Sequence, residues 1–152
     1  MVRTQASTHI ARPPDQVFAF VAVDFFDNYR RWSPEVVSLE ALSPGPIRLG
    51  SRGRQVRVDH GRRTEATFEV CVFEQDRRID FQGLSAPIYI SYRFEPSAHG
   101  TRLTFVFELA RLELFMRPFE KLIRAAIQEG GERVVGNIRG LLEQAPAAIS
   151  PR

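Results

Sequence analysis

The sequence predicts an α+β fold in which a curved antiparallel sheet of seven strands wraps around a long C-terminal helix. Two patterns carry this prediction. From about Val56 to Leu109, apolar and polar residues alternate, as they do in strands that are buried on one face. From about Phe115 to Leu142, apolar residues recur every three or four positions, which is the period of one helix face. The change of period near Leu112 therefore places the long helix after the strands.

The first elements precede this alternating region. Residues 2–10 alternate and predict a strand with one apolar face. Pro14 suits the first turn of a short helix that runs to about Val23, because the N–H that proline lacks has no partner there. Residues 24–32 predict a second short helix, which ends before Pro34.

Six more strands are predicted between turns that are rich in glycine, proline and polar residues. They cover residues 36–42, 55–60, 64–73, 79–82, 87–95 and 101–109. Their alternation predicts an inward apolar face that consists of Val56, Val58, Ala66, Phe68, Val70, Val72, Ile79, Phe81, Ile88, Ile90, Tyr92, Phe94, Leu103, Phe105, Phe107 and Leu109.

Length and composition fit one soluble domain. The chain has 152 residues, of which 43% are hydrophobic and 26% charged, as in ordinary globular domains. We expect a single domain over residues 1–152, with a core from about 3 to 144 and a frayed tail at 145–152. No apolar run reaches the ~18 residues of a membrane span. Cys71 is the only cysteine, which excludes an internal disulfide and predicts a cytoplasmic, reducing compartment.

The basic residues do not predict nucleic-acid binding. The net charge is +3, and the arginines are spread along the chain instead of forming the clustered patch that nucleic acid requires. The sequence leaves homodimer formation open.

Three stretches resemble a known family: RPPDQVFAFV at 12–21, NYRRWSP at 28–34 and GPIRLGSRGR at 45–54. Together with the order of elements and the closing LLE at 141–143, they resemble the START-like superfamily, also called SRPBCC or Bet v 1-like. Within it the chain is most similar to the polyketide cyclase/dehydrase and lipid-transport branch. The resemblance covers about residues 3–144 and implies the helix-grip fold.

The resemblance also implies an apolar cavity between the sheet and the long helix, which would bind a lipid, polyketide or aromatic metabolite. The alternative for any one of the aromatic residues concerned is that it only fills the core. The candidate ligand-binding residues are large or inward-facing side chains: Tyr29, Trp32, Phe68, Phe81, Tyr92, Phe105, Phe107, Phe115, Phe119, Leu122, Ile123 and Ala126.

Three residues are candidates for chemistry if the protein is a cyclase or dehydratase. His60 is predicted to face inward, where an imidazole side chain would serve as a general base, although a strand-end histidine also simply contacts water. The hydroxyl of Tyr92 needs a partner if it is buried. Arg54 is predicted to lie on the same inward face as Val56. There it would pair with an anionic group of a ligand, unless its side chain extends to solvent.

Known catalytic motifs do not occur in the sequence. It contains no HxxxH, HExxH or Cys/His cluster, no GxSxG and no phosphate-binding loop, so we expect no metal and no organic cofactor. A third possibility besides carrier and enzyme is a ribosome- or membrane-associated interaction module that uses the arginines.

Glycines divide the predicted long helix into two parts. Gly130, Gly131, Gly136 and Gly140 lie in its second half, where each is less favourable than alanine by about 0.5–1 kcal/mol. We expect the second half to bend or to approach the sheet closely. The first half would then stand off and line the cavity.

Overall fold

A computed structural model describes residues 1–144, so the predicted frayed tail at 145–152 lies outside the described residues. The strands are β1 Val2–Ile10, β2 Val36–Ala41, β3 Arg52–Asp59, β4 Arg62–Glu74, β5 Arg78–Gly83, β6 Ile88–Ser97 and β7 Gly100–Leu109. The helices are α1 Pro14–Phe18 with a π-helical turn Ala19–Val23, α2 Phe25–Trp32, and α3 Glu120–Gln144, which follows a 3₁₀ segment Leu114–Phe119.

All strands pair antiparallel in one seven-stranded sheet of order β1-β7-β6-β5-β4-β3-β2. The apolar faces of α1 and α2 and the second half of α3 cover its inner face. The predicted fold class is confirmed.

The second half of α3 packs mainly on β1. Its buried residues are Gly131, Val135, Ile138 and Leu142, which recur at helical spacing. A Cβ added to Gly131 would lie 3.3 Å from the Phe105 ring, so the absence of a side chain here allows the close approach.

Helix α2 presents one aromatic face to the core. Phe25, Tyr29 and Trp32 are buried and lie at the i, i+4, i+7 spacing that shares a helix face. Trp32 is only 1% exposed and its ring contacts both of the others. This face positions two aromatic residues of the candidate site.

The orientation predicted for the side chains of β3 is wrong. His60 and Gly61 form the two-residue turn between β3 and β4, both with positive φ (51° and 81°), as a type I′ hairpin requires. This turn sets Gly53 opposite Phe68, so the odd-numbered residues of β3 face inward. Val56 and Val58 therefore face the convex side.

A β-bulge at Cys71 overturns the predicted orientation of Val72. Val70 pairs with Phe81, but Val72 pairs with Asp80 on the convex face. One extra residue in a strand reverses the alternation beyond it.

The convex face of the sheet carries a buried carboxylate. Asp80 is 0% exposed. It accepts hydrogen bonds from Arg78 Nη2 at 2.6 Å, from Ser91 Oγ at 2.5 Å and from the Tyr89 hydroxyl. Burial alone raises the pKa of Asp80, but these hydrogen bonds outweigh burial and lower it.

Candidate functional site

A cavity lies on the concave face of the sheet, beneath α2. It opens to solvent on one side and has a volume of about 70 Å³. Sites that enclose drug-sized ligands typically hold ~300–1,000 Å³, so this conformation accepts only a small molecule or one part of a larger one. Its lining is mostly apolar and consists of Phe25, Tyr29, Gln55, Ala66, Thr67, Phe68, Phe81, Gly83, Ala86, Ile88, Ile90 and Tyr92.

Packed aromatic rings form the wall between α2 and the sheet. Phe25 lies 4.6 Å from Phe81 and 4.7 Å from Tyr29, measured between ring centroids. Phe68 lies over Gly53, where an added Cβ would come within 2.5 Å of its ring. The flat faces of these rings suit a planar apolar ligand.

Two tyrosines contribute buried phenolic hydroxyl groups to this lining. Tyr29 is 7% and Tyr92 2% exposed. Burial raises the pKa of both phenols, so both remain protonated at neutral pH. A protonated phenol donates a hydrogen bond to a ligand oxygen, but it is a poor general base.

Arg57 places a positive charge beside Tyr29. Its guanidinium donates two hydrogen bonds of 3.2 Å to Asp59. Burial lowers the pKa of Arg57, but the hydrogen bonds to Asp59 and the charges nearby outweigh burial, so the group stays cationic. The same guanidinium offsets part of the increase that burial causes in the pKa of Tyr29. It thus favours negative charge on an oxygen near Tyr29.

One buried acceptor near this charge, Glu35 Oε1, has no hydrogen-bond partner within residues 1–144. Trp32 Nε1 is also buried, and the indole N–H interacts with the Tyr92 hydroxyl. The Trp32 ring packs behind the lining residues, with its centroid 6.1 Å from that of Tyr92 and 5.9 Å from that of Tyr29. Buried polar atoms are rarely left unpaired, so unused acceptor capacity lies near Arg57.

The structure brings four of the predicted ligand-binding residues together at the cavity: Tyr29, Phe68, Phe81 and Tyr92. Trp32 and Phe105 are buried next to Tyr92 without lining the cavity, and Phe107 packs at the edge of the core.

The predicted residues before the middle of α3 do not line the cavity. Phe115, Phe119 and Leu122 are 69%, 55% and 71% exposed. Ala126 is also exposed, and Ile123 is half-buried. All buried residues of α3 lie in its second half, from Gly131 onward, so the two halves of the helix differ in packing as predicted.

The predicted orientations of Arg54 and His60 are wrong. Arg54 lies on the convex face and pairs with Glu65 at 2.9 Å and Glu40 at 3.5 Å. His60 is an exposed turn residue. The reversed parity of β3 places Arg57 near the cavity instead, and none of the three histidines lines the cavity.

Four residues at or beside the cavity were not predicted as part of the site: the polar Gln55 and Arg57 and the small Ala66 and Gly83. The two-residue turn at His60 and Gly61 was an available signal. Centring the hairpin on these residues sets Gln55 opposite Ala66, which places both on the same face.

Solved structures share this architecture. TTHA0849 from Thermus thermophilus is 20% identical, with a TM-score of 0.75 over 95% of this chain and 99% of that one. Ara h 8.0201 is 12% identical, with a TM-score of 0.64 over 94% and 98%. The Polyketide_cyc-like protein Cgl2372 from Corynebacterium glutamicum is 25% identical, with a TM-score of 0.64 over 93% and 91%.

These likenesses show the helix-grip fold, also called the Bet v 1-like fold. A family model described as polyketide cyclase/dehydrase and lipid transport matches residues 1–143. The chain belongs to this family. The sequence matches no curated protein.

Residues 1–144 contain neither a metal-ion cluster nor a membrane-spanning helix. No group of three or more His, Cys, Asp or Glu side chains there is arranged to hold a metal ion. No helix in this range is long and apolar enough to cross a membrane.

Proposed function

We propose that the protein binds a small, largely apolar molecule with an oxygen substituent in the cavity under α2. The combination of aromatic walls with the buried hydroxyls of Tyr29 and Tyr92 carries this proposal. The rings remove apolar surface from water, while the hydroxyls and the nearby Arg57 recognise a phenol, enol or carbonyl oxygen. Family membership supports the same kind of ligand.

The size of the cavity favours aromatic or short polyketide-like molecules over long-chain lipids. At about 70 Å³ the site is too small to enclose an acyl chain. A larger ligand would require the aromatic rings between α2 and the sheet to move apart, since these rings form the wall of the cavity.

A naphthol and the matching methylnaphthalene test the proposal, because they differ only in the hydroxyl group. We expect native mass spectrometry to detect a one-to-one complex with the naphthol, and the melting temperature to rise more with the naphthol than with the methyl compound. Ala66→Leu should abolish this effect by filling the cavity. The matched control is Glu65→Leu, which adds the same side chain on the convex face next in sequence. No complex with either compound would contradict the proposal.

A second candidate is a cyclase without metal or organic cofactor. The observation that favours it is the pair of Tyr29 and Arg57, which would stabilise an enolate oxygen during ring closure. Incubation with a linear poly-β-keto thioester tests it. If the wild-type protein cyclises the thioester faster than Arg57→Gln does, the result supports catalysis. Equal rates would mean that the site binds the molecule without catalysing ring closure.

Location and partners stay predictions. Cys71 is a free, half-buried thiol, which fits a reducing, cytoplasmic compartment. The absence of a nucleic-acid partner and the possibility of a homodimer remain expectations from the sequence.

A further inference from the structure

Four large apolar side chains are exposed where the chain passes from β7 into α3. Leu114, Phe115, Phe119 and Leu122 are 75%, 69%, 55% and 71% exposed. They fall within the 3₁₀ segment and the first turn of α3. Contiguous exposed apolar surface of this kind marks an interaction site more often than chance exposure.

This surface is separate from the core contact of α3. Leu122 shares a helix face with Arg133, which lies about three turns further along and has a side chain that is 58% exposed. The stripe that packs on β1 lies on the other side of the helix, with Gly131 and Val135. Leu122 therefore faces solvent, and the cavity does not explain its apolar character.

Positive charges border the apolar residues. Arg111, Arg117 and Lys121 are exposed. None of these three has an acidic partner within 4 Å among residues 1–144, whereas Arg124 pairs with Glu120. An apolar surface bordered by such cations matches the two layers of a membrane interface, where acyl chains lie beneath anionic phosphates.

We propose that residues 111–124 dock the protein peripherally on an anionic lipid surface. Leu114, Phe115, Phe119 and Leu122 insert among the headgroups, and the three bordering cations contact lipid phosphates. A second copy of the chain fits this surface less well. A two-fold interface would bring Arg117 and Lys121 towards their own copies, and a stable dimer buries about 800 Å² on each partner.

The docking segment begins beside residues that line the cavity. The Ala110 N–H donates a hydrogen bond of 2.9 Å to the Pro87 carbonyl oxygen. Pro87 follows Ala86 and precedes Ile88, both of which line the cavity. Docking would thus bring these lining residues towards the lipid surface. The docking itself does not depend on what the cavity binds.

Sedimentation with vesicles tests the proposal on the full chain. Wild-type protein should bind vesicles of phosphatidylcholine mixed with phosphatidylglycerol more strongly than phosphatidylcholine alone, and added NaCl should weaken this binding. The double variant Phe115→Ser, Leu122→Ser should bind at least about ten-fold more weakly, because two large side chains no longer leave water. Leu49→Ser is the matched control: Leu49 is 64% exposed and lies in the β2–β3 loop.

Circular dichroism establishes that each variant is folded. The charge variant Arg117→Ser, Lys121→Ser should lose the preference for phosphatidylglycerol. Equal binding of the wild type and the Phe115, Leu122 double variant would overturn the proposal. A second result would also overturn it: the wild type binds no vesicles and is a dimer in light scattering, whereas the double variant is a monomer. The surface would then bind a second copy of the chain.

Discussion

Asp80 is a charged residue without solvent exposure, and it remains ionised because its neighbours supply the hydrogen bonds that water would. Arg78 contributes both charge and donors, and Ser91 and Tyr89 complete the shell. Removing the charge of Asp80 weakens the hydrogen bonds on which its partners, including the fully buried Ser91, depend.

Asp80→Asn should lower the free energy of unfolding at neutral pH by about 2–3 kcal/mol. The folded-state pKa of Asp80 is lowered, so its contribution is present above the unfolded pKa of about 3.9 and is lost as pH falls below that value. The difference between wild type and variant should therefore shrink below about pH 4. Denaturant unfolding at neutral and acidic pH measures it.

Glu95→Gln is the control for this experiment, since Glu95 is exposed on β6 and forms no ion pair among the described residues. The role assigned to Asp80 would be contradicted if Asp80→Asn changed the free energy of unfolding as little as the control does. A change that is the same at neutral and acidic pH would contradict it as well.

Residue orientation was predictable where strands alternate without interruption. The inward position of Tyr92 follows from the pattern of β6 alone, and Tyr92 is 2% exposed in the structure. Arg57 was missed because parity was assigned in β3 without fixing the register of the hairpin. The positive φ angles at His60 and Gly61 identify a two-residue turn, and such a turn permits only one pairing of β3 with β4.

At the scale of elements, the two halves of α3 behave differently. The second half contacts β1 closely at Gly131, whereas a Cβ atom added at Gly136 would meet nothing within 4 Å. Of the glycines in this helix, therefore, Gly131 is the one that a close approach requires.

A pair of substitutions in α3 tests this difference. Gly136→Ala should raise the free energy of unfolding by about 0.5–1 kcal/mol, because alanine favours the helix and the site is open. Gly131→Leu should lower it by about 1–3 kcal/mol, because the larger side chain collides with Phe105 and Ala6. Thermal and denaturant unfolding measure both. Stabilisation by Gly131→Leu would contradict the close contact.

The bulge in β4 shows which feature of an element was not predictable. Residues 70–73 are all apolar, so the pattern contains no mark of the point at which the alternation reverses. The reversal turns Phe73 towards Phe18, with ring centroids 5.5 Å apart, and leaves Val72 opposite Asp80. The position of the bulge is decided by packing between elements, and the sequence of a single strand does not encode that packing.

At the scale of the whole molecule, the order of elements predicted the fold. The expected position of the cavity, between the sheet and α3, is wrong: the cavity lies between the sheet and α2, and no residue of α3 lines it. The size of the cavity was not predictable, because it depends on how closely the rings of α2 pack on the sheet. The exposed Phe115 and Leu122 show that the first half of α3 does not close over the inner face. Phe115, Phe119 and Leu122, which the helical period predicted as cavity residues, form a separate exposed surface.

The central claim is that the concave cavity recognises an apolar ligand through an oxygen near Tyr29 and Arg57. The most direct measurement is calorimetric titration of a naphthol into wild type, Arg57→Gln and Arg54→Gln, two substitutions of the same type on opposite faces of β3. We expect Arg57→Gln to weaken binding by about ten-fold, as loss of a charged partner of the oxygen does, and Arg54→Gln to leave it unchanged. Equal affinities for all three proteins, or a larger loss with Arg54→Gln, would contradict the account.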